Sequence, residues 1–170
     1  MHDLLERCRD PHEKLWLLNH YLDMFKGTLF RQTMFAEFEQ KAHEMAAAGE
    51  SMTSQSLCNI YKKLNEDYFG PDTVIDPEIQ YEWERIPHFY TPFYVYQYAT
   101  GFSAAIAISR KIFNGEPGIL EGYKKFLSGG CSDTPIELLK LAGVDMSHTG
   151  PVEEALKFFE ELLNEFEELA

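Results

Sequence analysis

The sequence predicts an all-α fold, one multi-helix domain over residues 1–170. Three observations carry this. Apolar residues recur at helical spacing along most of the chain, cap-then-proline signals open the segments while glycines close them, and no run alternates apolar and polar residues long enough to found a sheet. The apolar content of 45% and aromatic content of 14% suit a chain that buries a core, not a disordered one.

The elements follow in order. Asp10-Pro11-His12-Glu13 reads as a helix start, with a cap, a proline at the first helical position and an acidic first turn. Leu15, Leu18, Leu22, Phe25 and Leu29, then Phe35, Phe38, Ala42 and Met45, continue the period towards a stop at Gly49, either as one helix or as two with a kink near Gly27. Thr53 caps a second segment carrying Leu57, Ile60, Tyr61, Leu64 and Tyr68, closed by Gly70-Pro71. Asp76-Pro77-Glu78 opens a short helix that ends before Pro87. Thr91-Pro92 starts a helix running to about Phe113, and others are expected from Pro117 to Leu127, from Thr134-Pro135 to Gly143, and from Gly150-Pro151 onward. Thr73-Val74-Ile75 is too short to found a sheet.

Charge limits the partners. With 28 acidic and 15 basic residues and a formal net charge of -13, the chain is repelled by phosphate backbones and anionic lipid, so nucleic acid and membrane surfaces are excluded as partners. The longest uncharged stretch, 86–109, holds His88, Gln97, four tyrosines and two prolines, and reads as a core helix with a polar face rather than a membrane span. No signal peptide is visible at Met1–Arg7. Cys8, Cys58 and Cys131 are odd in number and widely spaced, so they read as free thiols in a reducing compartment. The expectation is a soluble, cytoplasmic protein.

Familiar catalytic motifs are missing. A zinc-peptidase helix needs a second histidine one turn after each His-Glu pair, but Trp16 and Ala47 occupy those positions after His12-Glu13 and His43-Glu44. His12 and His20 lie roughly on one helix face without a third ligand, so no metal site is expected in this chain. There is no GxSxG nucleophile elbow, and Gly129-Gly130 lacks the Lys-Ser/Thr of a phosphate loop. The seven glutamates from Pro151 onward read as a solvated outer face.

The unusual segment is Pro87-His88-Phe89-Tyr90-Thr91-Pro92-Phe93-Tyr94-Val95-Tyr96-Gln97-Tyr98. Phenol and imidazole donate hydrogen bonds while neutral, so such a cluster at a helix start can steady a developing oxyanion. Tyr94, Tyr98 and Phe102 share one helical stripe and Phe93, Tyr96 and Thr100 another. One stripe is expected to face the core and the other a cleft.

Several segments, in this order along essentially the whole chain, resemble the oligoendopeptidase F family of zinc peptidases. They are Arg31-Gln32-Thr33-Met34-Phe35-Ala36-Glu37-Phe38-Glu39, Tyr68-Phe69-Gly70-Pro71-Asp72, Ile86-Pro87-His88-Phe89-Tyr90, Tyr98-Ala99-Thr100-Gly101-Phe102-Ser103-Ala104-Ala105, Gly129-Gly130-Cys131-Ser132-Asp133 and Gly143-Val144-Asp145-Met146. The resemblance is to the C-terminal portion only, since the HExxH segment is absent. It implies the C-terminal helical lobe of a zincin-type oligopeptidase, a fragment or split relative whose missing N-terminal catalytic portion holds the zinc. The substrate would be short peptides. By the same resemblance His88 and a tyrosine support the oxyanion, Tyr96 being the first choice among Tyr90, Tyr94 and Tyr96, with Tyr90 and Tyr94 as substrate-side neighbours; the Tyr98/Phe102 stripe is then expected to be the buried one. An exposed, partly apolar groove is expected, with a homodimer formed through exposed apolar surface. The alternative is a non-catalytic helical domain that binds peptides or a partner protein.

Overall fold

The computed structural model describes residues 1–170 as eight α-helices with no strand: α1 (His2–Arg7), α2 (Pro11–Phe25), α3 (Arg31–Ala47), α4 (Ser54–Phe69), α5 (Tyr96–Phe113), α6 (Ile119–Ser128), α7 (Pro135–Leu141) and α8 (Gly150–Leu169). The chain forms two compact units, one of Met1–Lys26 with Thr100–Ala170, the other of Gly27–Ala99. No helix is long and apolar enough to cross a membrane.

Three helix starts, those of α2, α4 and α7, follow from side-chain capping by Asp10, Thr53 and Thr134. Asp10 accepts the N–H groups of His12 (2.8 Å) and Glu13 (3.0 Å) ahead of Pro11. Thr53 and Ser56 form a reciprocal capping box on α4. Between α2 and α3 the turn widens into a π-helix over Lys26–Phe30, near the glycine where a kink was open, and the Thr33 hydroxyl donates to the Leu29 carbonyl (2.7 Å).

Five elements differ from the sequence expectation. Helix α1 has no side-chain cap and buries only Leu5, so no sequence signal marked it. The segment after Asp76 is a 3₁₀ helix, Pro77–Arg85, and a second 3₁₀ turn covers Pro87–Tyr90. Helix α5 begins at Tyr96 and not at Pro92, because Phe93 has φ +58° and no α-helix runs through a left-handed residue. Helix α6 begins after Gly118, whose φ of +80° keeps Pro117 out of it.

In the first unit α2 packs along α8 through an aromatic stack. The Tyr21 and Phe158 ring centres lie 5.6 Å apart, and Phe25 meets Phe102 edge-on at 4.9 Å. The Arg110 guanidinium sits 4.4 Å over the Phe158 ring and pairs with Glu161 at 2.7 Å. Helices α6 and α7 close on each other at Gly122, where a Cβ would lie 1.9 Å from the Leu141 carbonyl oxygen. Beside them an open groove of about 410 Å³ is lined by Ala104, Ile108, Ile112, Tyr123, Phe126 and Leu139, among others.

In the second unit Met34, Phe35 and Phe38 of α3 pack with Tyr61 and Leu64 of α4, Ile86 and Val95. Its polar centre is the buried Glu82. This carboxylate accepts from the Tyr61 hydroxyl at 2.7 Å and from Arg31 at 2.6 Å, and also pairs with Arg85. Burial alone would raise the Glu82 pKa, but the Tyr61 hydroxyl and the two guanidiniums outweigh it and hold the group below its ordinary 4.5. The same contact and burial push the Tyr61 phenol well up, burial being the larger cause.

A carboxylate with a depressed folded-state pKa contributes stability that is present above its unfolded value and lost as pH falls through the folded one. The urea midpoint should therefore fall on acidification below about pH 4.5. Glu82→Gln should be less stable at neutral pH, by about 3–5 kcal/mol on the scale of a broken buried ion pair, and should show a shallower acid limb. The other depressed carboxylates, such as Asp10, Asp76 and Asp145, are shared by both proteins and cancel in the comparison. Parallel acid limbs for the two proteins would refute the assignment to Glu82.

Candidate functional site

The aromatic segment is pinned to the core of the second unit at alternating points. Ile86 is buried, and Phe89 packs against Phe35 (5.6 Å) and Phe38 (5.3 Å), so core contacts flank His88 on both sides. Val95 and Ala99, one helical turn apart, are the buried residues at the start of α5. The core-facing stripe is thus neither of the two that the sequence singled out.

With those anchors buried, His88, Tyr94 and Tyr98 are left on the surface and meet. The His88 and Tyr94 rings stack at 5.5 Å with 8° between their planes. Tyr98 stands edge-on to both, at 5.7 Å from His88 and 5.5 Å from Tyr94. Its hydroxyl lies 3.3 Å from His88 Nε2 and donates to the Tyr94 hydroxyl at 3.4 Å. These are long bonds, of the kind that tighten when a substrate fills a site. Donation to Tyr94, followed by burial, pushes the Tyr98 phenol above its ordinary value, so it stays a neutral donor through the physiological range.

One hydroxyl has one hydrogen, which sets the direction of the chain. With Tyr98 donating to Tyr94, the His88 tautomer that completes the line carries its proton on Nε2 and donates to the Tyr98 oxygen. The Tyr94 hydroxyl hydrogen is then left for an outside acceptor, and the two bonds behind it polarise it in the same sense.

The other sequence-predicted residues stand apart from this trio. Tyr90 is 86% exposed in the 3₁₀ turn. Tyr96 is half-exposed at the first position of α5. Tyr98, expected to be a buried anchor, is 36% exposed and is the phenol bonded to His88, because Val95 and Ala99 take the core positions instead. The signal for it was the four-residue spacing between Tyr94 and Tyr98. His20 stacks on Trp16 at 5.5 Å and joins no ligand cluster. No group of three or more His, Cys, Asp or Glu side chains is disposed to hold a metal ion, so the zinc implied by the family resemblance does not fit the residues present here.

The model of peptidase family M3 matches residues 1–158. The chain belongs to that family. It is 53% identical over 98% of its length to oligopeptidase PepF of Bacillus subtilis (strain 168), covering 25% of that protein. It is 50% identical, again over 98% of its length, to the chromosomal oligoendopeptidase F of Lactococcus lactis subsp. cremoris, covering 28%. The crystal structure of oligoendopeptidase-F from Enterococcus faecium superposes with a TM-score of 0.95 at 53% identity, over 99% of this chain and 32% of that one. This M3 chain therefore spans about a quarter to a third of the length of the relatives it matches.

Removing the acceptor should reveal the bond behind it. In Tyr94→Phe, the Tyr98 phenol should titrate closer to the ordinary value of about 10, as followed by NMR of ring-labelled tyrosine. A Tyr98 titration unmoved by the substitution would mean that the hydroxyls do not interact.

Proposed function

We propose that this chain supplies the oxyanion-side donors and part of the cleft wall of a zinc-dependent oligoendopeptidase acting on short peptides. Zinc and its ligands would belong to the rest of the complete enzyme. The observation that carries this reading is the line His88–Tyr98–Tyr94, which ends in an uncommitted phenol hydrogen. When a peptide carbonyl turns tetrahedral, its oxygen takes on negative charge, and a fixed neutral donor aimed there stabilises the transition state more than the ground state. Tyr94 gives that hydrogen bond, Tyr98 orients Tyr94, and His88 holds Tyr98. Tyr96 and Tyr90, exposed on either side, are substrate-side phenols. The reading includes a cytoplasmic location, in keeping with three unpaired cysteines. It also includes pairing of two copies through exposed apolar surface, which a concentration-independent monomer in sedimentation would remove.

The test is kinetic and needs the complete peptidase. Tyr94→Phe and Tyr98→Phe remove one hydroxyl each and keep the rings. Each should lower kcat about 10²–10³-fold with little change in KM, as expected for a donor used only in the transition state. Tyr96→Phe should have the smaller effect. If kcat is unchanged in both of the first two variants, the chain is better described as a non-catalytic helical domain that binds peptides or a partner protein.

A further inference from the structure

Phe93 is the one residue other than glycine with positive φ, at +58°. A bulky side chain in the left-handed region is strained and persists only where its surroundings enforce it. Here the enforcing groups come from α3. The Phe93 N–H donates to Oε1 of Glu39 at 2.7 Å, and the Phe93 ring lies 4.8 Å from that of His43, one turn further along the same helix. Glu39 is only 7% exposed, which is unusual for a glutamate, and no Lys or Arg is paired with it. A buried carboxylate spent on a single strained backbone amide needs a reason.

That reason lies in the next residue. Tyr94 follows Phe93 directly and stacks on His88, and the left-handed turn separates the Thr91-Pro92 start signal from the actual first turn of α5. Were Phe93 to relax to the right-handed region, the helix could begin at Pro92, and Tyr94 would lie on a regular helical surface with its ring re-aimed. We propose that Glu39 is a positioning residue. By accepting the Phe93 N–H it holds the left-handed turn that sets Tyr94 against His88, and so aims the donor at the bound peptide. The catalytic half of this inference rests on the proposed function; the structural half does not.

The experiment has readouts that separate the two halves. In the unmodified chain, hydrogen exchange at the Phe93 amide should be slowed by at least about tenfold relative to an unstructured amide, and exchange at the unstructured rate would overturn the bond. Glu39→Met matches the side chain in size but cannot accept the bond. It should abolish the ring-to-ring NMR contact between His88 and Tyr94 while the helical circular dichroism is kept. Glu39→Gln, whose Oε1 still accepts, should keep that contact. Adding Phe93→Gly to Glu39→Met should restore it, because glycine takes positive φ without strain. In the complete peptidase, Glu39→Met should lower kcat about 10–10²-fold with KM nearly constant, and the added Phe93→Gly should recover most of it. A contact that survives Glu39→Met, or a loss that Phe93→Gly fails to rescue, refutes positioning by Glu39. A lost and rescued contact with unchanged kcat keeps the positioning and refutes the catalytic reading of the cluster instead.

Discussion

The second unit depends on one buried carboxylate. Glu82 sits in the 3₁₀ segment that precedes the aromatic stretch, and it is tied to α3 through Arg31 and to α4 through Tyr61. A 3₁₀ helix of nine residues is long for a form with poor hydrogen-bond geometry, so its place has to be set from outside. Arg31 and Tyr61 do this through charge-assisted contacts at Glu82, with Arg85 pairing to it within the segment, and the Arg31 guanidinium over the Phe35 ring at 4.8 Å joins the polar centre to the apolar core. Three residues after Arg85, the chain reaches His88.

Between that anchor and α5, the backbone is fixed at short intervals by Ile86, Phe89, Glu39 on Phe93, and Val95. The exposed residues between these points have little freedom to wander, and two of them, His88 and Tyr94, form the imidazole–phenol line with Tyr98 of the first turn of α5. Rigid support beneath an exposed polar cluster is what a pre-organised donor site requires, since donors that must reorganise during reaction lose their advantage. Two α3 residues a turn apart, Glu39 and His43, grip the turn from one side, while the buried Val95 holds it from the other.

Much of the helix inventory was legible in the sequence because it is written in local chemistry. Asp10-Pro11, Thr53, Thr134-Pro135 and Gly70 act through neighbours within one turn, and each does in the structure what its type predicts. The start of α5 failed because a distant residue decides it. Thr91-Pro92 is a good start signal, yet a glutamate 54 positions earlier captures the Phe93 amide and delays the helix to Tyr96. The aromatic segment and His88 were found from composition alone. Choosing among four tyrosines was beyond periodicity, since both proposed stripes were plausible and the core selected a third, Val95 and Ala99. Glu39 gave no signal, because one acidic residue on a helix looks like a solvated one until its burial is known.

In the proposed function the His88–Tyr98–Tyr94 line acts on the developing oxyanion. Its most direct measurement is the affinity of the complete peptidase for a phosphinic peptide, whose tetrahedral phosphorus and anionic oxygen resemble the intermediate. Affinity is compared with kcat/KM across substitutions of the three residues. If the claim holds, inhibitor affinity falls in proportion to kcat/KM, while KM for the matching substrate stays nearly constant. Inhibitor affinity that stays constant while kcat/KM falls would contradict it, leaving the cluster a role in something other than transition-state stabilisation.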